Sequence, residues 1–309
     1  MGGGRPVFPG WLGRPLLMVS LWAAGGTALA QAPAVPPAAP PVVLPTTAGA
    51  DRVEDPPAVR KKLFEAARFL NRFKDSEALA VYQDVLKANP AHYLALWQAA
   101  VLSVKIGARY SDETRKTAYF DAAVRYADRA LVLRPEGGES NYAAALALFS
   151  QADLYRSGSR LVAFRDLRSY VFLARAHRPD LPETWQLLGR WQYRVGHYNV
   201  LERLYSKIAL GGVPPGGNVD SAFHSLETAI RLDSSRVSFY YDLARMYRYQ
   251  GRPQSALALL RKAIRLPTFT SEDLTINRLC QLQLPPLQRA AARRVQQQAA
   301  RTSGGPPLP

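Results

Sequence analysis

The chain is nearly free of cysteine. Its 309 residues hold one, Cys280, so no internal disulfide staples it and its stability must come from packed side chains. Cys280 is expected as a small apolar residue in the last helix, with pairing between chains as the alternative. Histidine is almost as scarce. His92, His177, His197 and His224 are all there are. No two stand at metal-ligand spacing and no acid or cysteine cluster accompanies them, so no metal centre is expected. His92 and His177 flank helix-ending prolines and are expected to be solvated. No phosphate-binding loop, nucleophile elbow or paired-acid motif occurs. Gly211-Gly212 and Gly216-Gly217 bracket two prolines without a following Lys-Ser/Thr, which reads as a turn. These gaps predict no enzyme, no cofactor and no small-molecule substrate. Acids also run short: 24 Asp and Glu against 40 Lys and Arg give a formal net charge of +16, which favours an anionic partner.

What is there begins with a leader. Arg5 and Arg14 precede an uncharged run from Leu16 to Ala30 that ends Ala28-Leu29-Ala30. A basic start, a short apolar core and an Ala-x-Ala site read as a secretory signal peptide over residues 1–30. The run is short for a membrane span, and no cysteine follows it for lipid attachment. Residues 31–57 are rich in alanine and proline and read as an extended linker. Loss of residues 1–30 removes two Arg and no acid, taking +16 to +14. The chain is therefore expected to be exported, to a periplasmic or secreted location. With Arg outnumbering Lys 32 to 8, the source is expected to be a GC-rich bacterium.

The rest is a helical pattern with a period of about 34. Tyr240-x-x-Leu243-Ala244-x-x-Tyr247 is followed by Ala256-x-x-x-Leu260-x-x-Ala263. This alternation of small and large residues resembles the tetratricopeptide repeat (TPR), a helix–turn–helix unit. Units start at Val59, Tyr93, Gly138, Pro182 and Val237, and interruptions of eleven, ten and twenty-one residues fall inside units two, three and four. Small residues recur at positions 8, 20 and 27, where helices must approach closely. The prediction is all-α: a TPR-like α-α superhelix (solenoid) of about five units over residues 58–284, then a basic, flexible C-terminal tail over 285–309. Asp75 is expected to cap a helix, and Thr270 with Asp273 to form a capping box for a helix ending near Leu284. Gly107, Gly196 and Gly251 are expected in left-handed turns. The interruption 197–210 carries Tyr198, Leu201, Leu204, Tyr205 and Ile208 at helical spacing, whereas 108–119 reads as a polar loop.

Between residues 182 and 268 the likeness is closer. Trp185-Gln-Leu-Leu-Gly189-Arg-Trp191, the inserted segment with Leu201-Glu-Arg-Leu204, Leu210-Gly-Gly-Val-Pro214, and Ala229-Ile-Arg-Leu-Asp233 resemble bacterial TPR proteins related to the regulator of microtubule dynamics family. Residues 59–181 resemble it more loosely. The resemblance implies an all-α superhelix without catalytic residues, used for protein association. The microtubule role in the family's name does not suit an exported bacterial protein.

In such repeats positions 2, 5, 9, 12 and 13 of each first helix line the concave groove. Unit four places Glu183, Gln186, Arg190, Tyr193 and Arg194 there, and unit five Ser238, Tyr241, Arg245, Arg248 and Tyr249. Unit two adds Trp97 and Lys105, and unit one Asn71. Arginine forks pair with carboxylates and tyrosines supply rigid contact area. The reading is a non-enzymatic scaffold or adaptor whose basic, aromatic groove binds a protein or an acidic peptide in the cell envelope. The alternative is an electrostatic binder of nucleic acid or of an anionic envelope polymer, which would lose affinity steeply with salt. A catalytic domain beside the repeats has no folded length left to occupy. The tail, with Arg289, Arg293, Arg294 and Arg301 and no acid, suits weak contact with an anionic membrane surface. Cleavage should leave a mature chain beginning at Gln31, which N-terminal sequencing of the exported protein checks. A mature chain that keeps residues 16–30 contradicts the leader.

Overall fold

The structure is a computed structural model that describes residues 55–302. The leader at 1–30, the linker up to residue 54 and the tail from 303 onward lie outside the described residues. Thirteen helices and no strand occur among the described residues. Unit one is α1 (Pro57–Asn71) and α2 (Asp75–Ala88), and unit two is α3 (Tyr93–Gly107) and α4 (Glu113–Leu133). Unit three is α5 (Gly138–Ala152) and α7 (Arg168–His177) with α6 (Ser157–Asp166) between them. Unit four is α8 (Pro182–Gly196) and α10 (Val219–Leu232) with α9 (Val200–Ala209) between them. Unit five is α11 (Val237–Tyr249) and α12 (Pro253–Ala263), and α13 (Ser271–Thr302) closes the chain. Helices pack within these pairs and against the next unit, which is the TPR superhelix.

The small positions explain the winding. Ala66, Ala78, Ala100, Ala123, Ala130, Ala145, Ala222, Ala229, Ala256 and Ala263 have no exposed surface at all. At Gly189 even a methyl group would sit 3.0 Å from the Ala222 carbonyl. Large residues fill the spaces between: Tyr82, Leu96, Phe149, Trp191, Leu226, Tyr240 and Leu260 are all buried. Cys280, in α13, is a free and fully buried apolar residue.

Several local expectations are corrected. Residues 113–119 are not loop, because Asp112 caps α4 by accepting from the Arg115 amide at 2.8 Å. The interruption in unit three is a helix too. Leu161 and Phe164 of α6 are buried, and the Phe164 carbonyl accepts from Trp191 Nε1 at 2.8 Å. Its apolar residues are too few to show helical spacing. The interruption in unit four forms α9, as its apolar spacing predicts, capped by a box between Asn199 and Glu202. Asp75 caps nothing: it is the first helical residue, and its carboxylate pairs with Arg109 of the next unit. His92 is buried rather than solvated. Its Nδ1 accepts from the Ala95 amide at 3.2 Å and its Nε2 meets Asp55. Of the three turn glycines only Gly251 is left-handed, at φ 66°. Gly107 is needed for space instead, since a Cβ would lie 2.8 Å from Tyr119 Cβ and 2.9 Å from Phe120 Cε1.

The C-terminal end differs most. The Thr270 and Asp273 capping box forms, with bonds of 2.9 and 3.0 Å. The helix it starts runs through Pro285 and Pro286 to Thr302. Both prolines are exposed, so the carbonyls they leave without partners can be met by water. Leu287, one residue on, packs into the unit-five core with Leu284.

The superhelix also meets itself. Phe73, between α1 and α2, stacks on Phe269, between α12 and α13, at 5.4 Å and 10°. Phe73 stands where the repeat usually has glycine and has φ 56°, a conformation costing a side chain about 1–2 kcal/mol. The first unit and the last connection are therefore in contact. Gly107→Ala should destabilise the fold by about 1–3 kcal/mol through overpacking, read as a lower midpoint in urea unfolding. An unchanged midpoint would mean that the α3–α4 corner is looser than described.

Candidate functional site

The inner face is built by the first helix of each unit, and its character changes along the superhelix. In units two and three it is apolar and covered: Trp97, Val101, Val104, Tyr142 and Phe149 are buried. Lys105 lies among them. Burial lowers its pKa, with Arg236 acting the same way, while Glu183, Glu272 and Asp273 oppose them. Glu272 and Asp273 open α13, so the charge at the start of the last helix reaches unit two.

In unit four the expected groove residues are already engaged. The Arg190 guanidinium lies 4.4 Å over the Phe149 ring. Its Nε stands 3.9 Å from Asp242 Oδ2, an ion pair too long to be a hydrogen bond. Gln186 donates to the same oxygen at 2.7 Å. Arg194 pairs with Glu202 of α9 at 2.5 Å and lies 5.0 Å over Tyr198. Tyr193 is turned into the core, 2% exposed, and donates to the Met246 carbonyl at 3.4 Å. Burial pushes its phenol up to about 12. Glu183 pairs with Arg236 at 3.1 Å.

Unit five is more open. The Tyr241 hydroxyl accepts from Gln283 Nε2 at 3.1 Å, and Arg248 donates to Gln283 Oε1 at 3.2 Å. Arg245 lies 5.6 Å over the Tyr241 ring and Arg248 5.1 Å over Tyr249. Arg248 and Tyr249 are exposed. The structure thus brings Tyr241, Arg245, Arg248 and Tyr249 together along one helix beside α13, with the buried Tyr193 phenol near enough for Tyr249 and Arg245 to act on it. Asn71, in unit one, is exposed and distant in the chain from this cluster.

The sequence reading missed the acids that hold these arginines. Asp242 follows groove position 5, where periodicity assigns it no role. Glu202 sits in an interruption that the repeat does not register. A third missed acid is Asp153, which follows α5. Its Oδ2 is buried without a hydrogen bond. Desolvation raises its pKa to about 6, against the pull of Arg190, Arg160, Arg194 and Arg245. Two surface cavities, of about 70 and 160 Å³, lie elsewhere, beside α1 and beside the start of α12. Both are well below the ~300–1,000 Å³ of small-molecule sites.

The sequence profile of the family described as Regulator of microtubule dynamics protein 1-3 matches residues 63–288, most of the chain. The chain belongs to this family. Regulator of microtubule dynamics protein 3 of Bos taurus is 32% identical over 108 residues, covering 34% of this chain and 22% of that protein. The Rattus norvegicus protein is 27% identical over 180 residues, covering 58% of this chain and 38% of its own length. The chain thus spans about a fifth to two fifths of these curated relatives. Among solved structures, a thermophilic TPR protein of Thermus thermophilus is similar at a TM-score of 0.52 and 18% identity. The match covers 72% of this chain and 96% of that one. It establishes a shared TPR fold. What sets this family member's inner face apart from a plain basic groove is the matching of its arginines by internal acids.

Asp153 gives a pH signature. Its carboxyl binds a proton more tightly folded than unfolded, so it favours the fold when protonated. That contribution is complete below about pH 4 and is lost as pH rises through about 6. The wild type should therefore lose up to about 3 kcal/mol over this interval relative to Asp153→Asn, read from urea unfolding at each pH. Parallel stability curves for the two proteins would show that Asp153 is better solvated than its position implies.

Proposed function

We propose that this family member is a non-enzymatic TPR scaffold that holds an acidic peptide segment of a protein partner along unit five. The observation that carries this reading is the exposed Arg248–Tyr249 pair, with Arg245 stacked on Tyr241 one turn away. A guanidinium beside a phenol gives a carboxylate-bearing peptide both a charged fork and a flat contact surface. Arg190, Tyr193 and Arg194 take part differently. They shape and brace the wall through Asp242, Met246 and Glu202 and leave contact with the partner to unit five. With the leader read at residues 1–30, the scaffold acts outside the cytoplasm, in the envelope of a bacterium. The microtubule role in the relatives' name is not carried to this chain.

A set of fluorescent acidic peptides, some ending in a free carboxylate, tests the reading by anisotropy. Saturable binding is expected, weakened about tenfold or more by Arg248→Glu, as for loss of a charge-assisted pair. Such a peptide should keep a preference among sequences at physiological salt. Binding that collapses with salt and treats nucleic acid and peptide alike would favour the electrostatic polymer binder instead. Equal binding by Arg248→Glu would overturn the unit-five site.

A further inference from the structure

The inserted helix α9 is turned inside out. Its sequence is strongly amphipathic, with Val200, Leu201, Leu204, Tyr205 and Ile208 on one arc and Glu202, Arg203, Ser206 and Lys207 on the other. In a surface helix the apolar arc faces the core. Here the fully buried residue is Ser206, and the apolar arc faces solvent. Val200 is 76% exposed, Leu201 75%, Leu204 52% and Ile208 77%. This orientation is held by charge. Glu202 pairs with Arg194 of α8 and closes the α9 capping box, and Arg203 donates to the Tyr198 carbonyl at 2.9 Å. Glu202 and Ser206 stand one turn apart on the same side, so fixing Glu202 inward fixes the apolar residues outward.

We propose that α9 docks this protein on an anionic lipid surface, lying in the headgroup layer with Leu201, Leu204 and Ile208 inserted. Three observations select that occupant. First, the apolar face has no wall beside it. The helix packs mainly on α6, and Val200, Leu201 and Ile208 are each three-quarters or more exposed, as on a ridge rather than in a groove. A planar, deformable surface needs no groove. Second, the rim is cationic. Arg203 and Lys207 lie on α9 itself, and Arg156, Arg160 and Arg165 lie along α6, against Asp166 alone. Glu202 is already neutralised by Arg194. A second copy of the chain would bring two such rims together, whereas anionic headgroups complement them. Third, ten residues make a helix about 15 Å long, which suits lying in the interface. No described helix is long and apolar enough to cross a membrane. This surface is distinct from the unit-five groove, so a docked scaffold keeps that groove available to its partner.

The test reads α9 directly in the full-length chain. An environment-sensitive fluorophore is attached at Leu204→Cys. Cys280 is buried, which leaves the introduced thiol as the reactive one. Val132→Cys, at a site 81% exposed on α4, is the control. Vesicles of phosphatidylcholine with phosphatidylglycerol should shift the Leu204 label to the blue and expose it to brominated-lipid quenching. The Val132 label should stay in water. Vesicles of phosphatidylcholine alone should give a much weaker shift. Adding Leu201→Asp and Ile208→Asp should lower the vesicle partition reported by this label about a hundredfold, roughly tenfold per withdrawn apolar side chain. Both sites are exposed, so the circular dichroism spectrum should not change. A Leu204 label that stays in water while the protein pellets with vesicles overturns the proposal, since another segment then makes the contact. So does a concentration-dependent dimer, seen by sedimentation velocity without lipid and abolished by the same two substitutions. That result would assign the face to a second copy.

Discussion

Everything else in this fold rests on how closely neighbouring helices approach at the small positions of the repeat. The alanines at positions 8, 20 and 27 are at most 1% exposed, and at Gly189 a methyl group would be crowded, 3.0 Å from the Ala222 carbonyl. That closeness lets large side chains such as Trp191 and Tyr240 fill the gaps between units. It also brings the first helices of adjacent units near enough for their inner faces to cover one another. The superhelix therefore winds until Phe73 reaches Phe269.

Tight winding decides where charge can be used. An arginine on a covered inner face must be matched, since an unpaired buried charge is costly. Arg190 is matched by Asp242, Arg194 by Glu202, and Arg236 by Glu183 and Asp233. The net positive charge of the chain is thus spent unevenly. The inner-wall arginines of unit four are matched from within, whereas Arg248 of unit five stays exposed. Among the described residues no sixth unit stacks on unit five. Instead α13 leans on it through Gln283, which both Arg248 and Tyr241 contact.

The sequence makes the repeat legible because its constraint is periodic. Ala222, Ala229, Ala256 and Ala263 announce their helices at fixed spacing, and the Thr270 and Asp273 box is a local signal that local chemistry satisfies. What stays hidden is set by partners far along the chain. Asp75 looks like a cap until Arg109 claims it. Tyr193 falls on a groove position, but the His197 and Met246 environment takes it into the core. The apolar spacing of α9 is plain in the sequence, yet its outward direction depends on the Arg194–Glu202 pair. Pro285-Pro286 reads as a stop, and α13 continues because Leu284 and Leu287 are both drawn into the same cluster.

The central claim is that the superhelix winds far enough to bring the α12–α13 connection against the first unit. Ser76 and Ser271 are exposed and flank the Phe73–Phe269 contact. Spin labels at these two positions, with the separation read by double electron–electron resonance, test closure most directly. The account predicts a single narrow distribution at short distance, broadened and lengthened by Phe269→Ala. A long, broad distribution in the otherwise unaltered chain would contradict it.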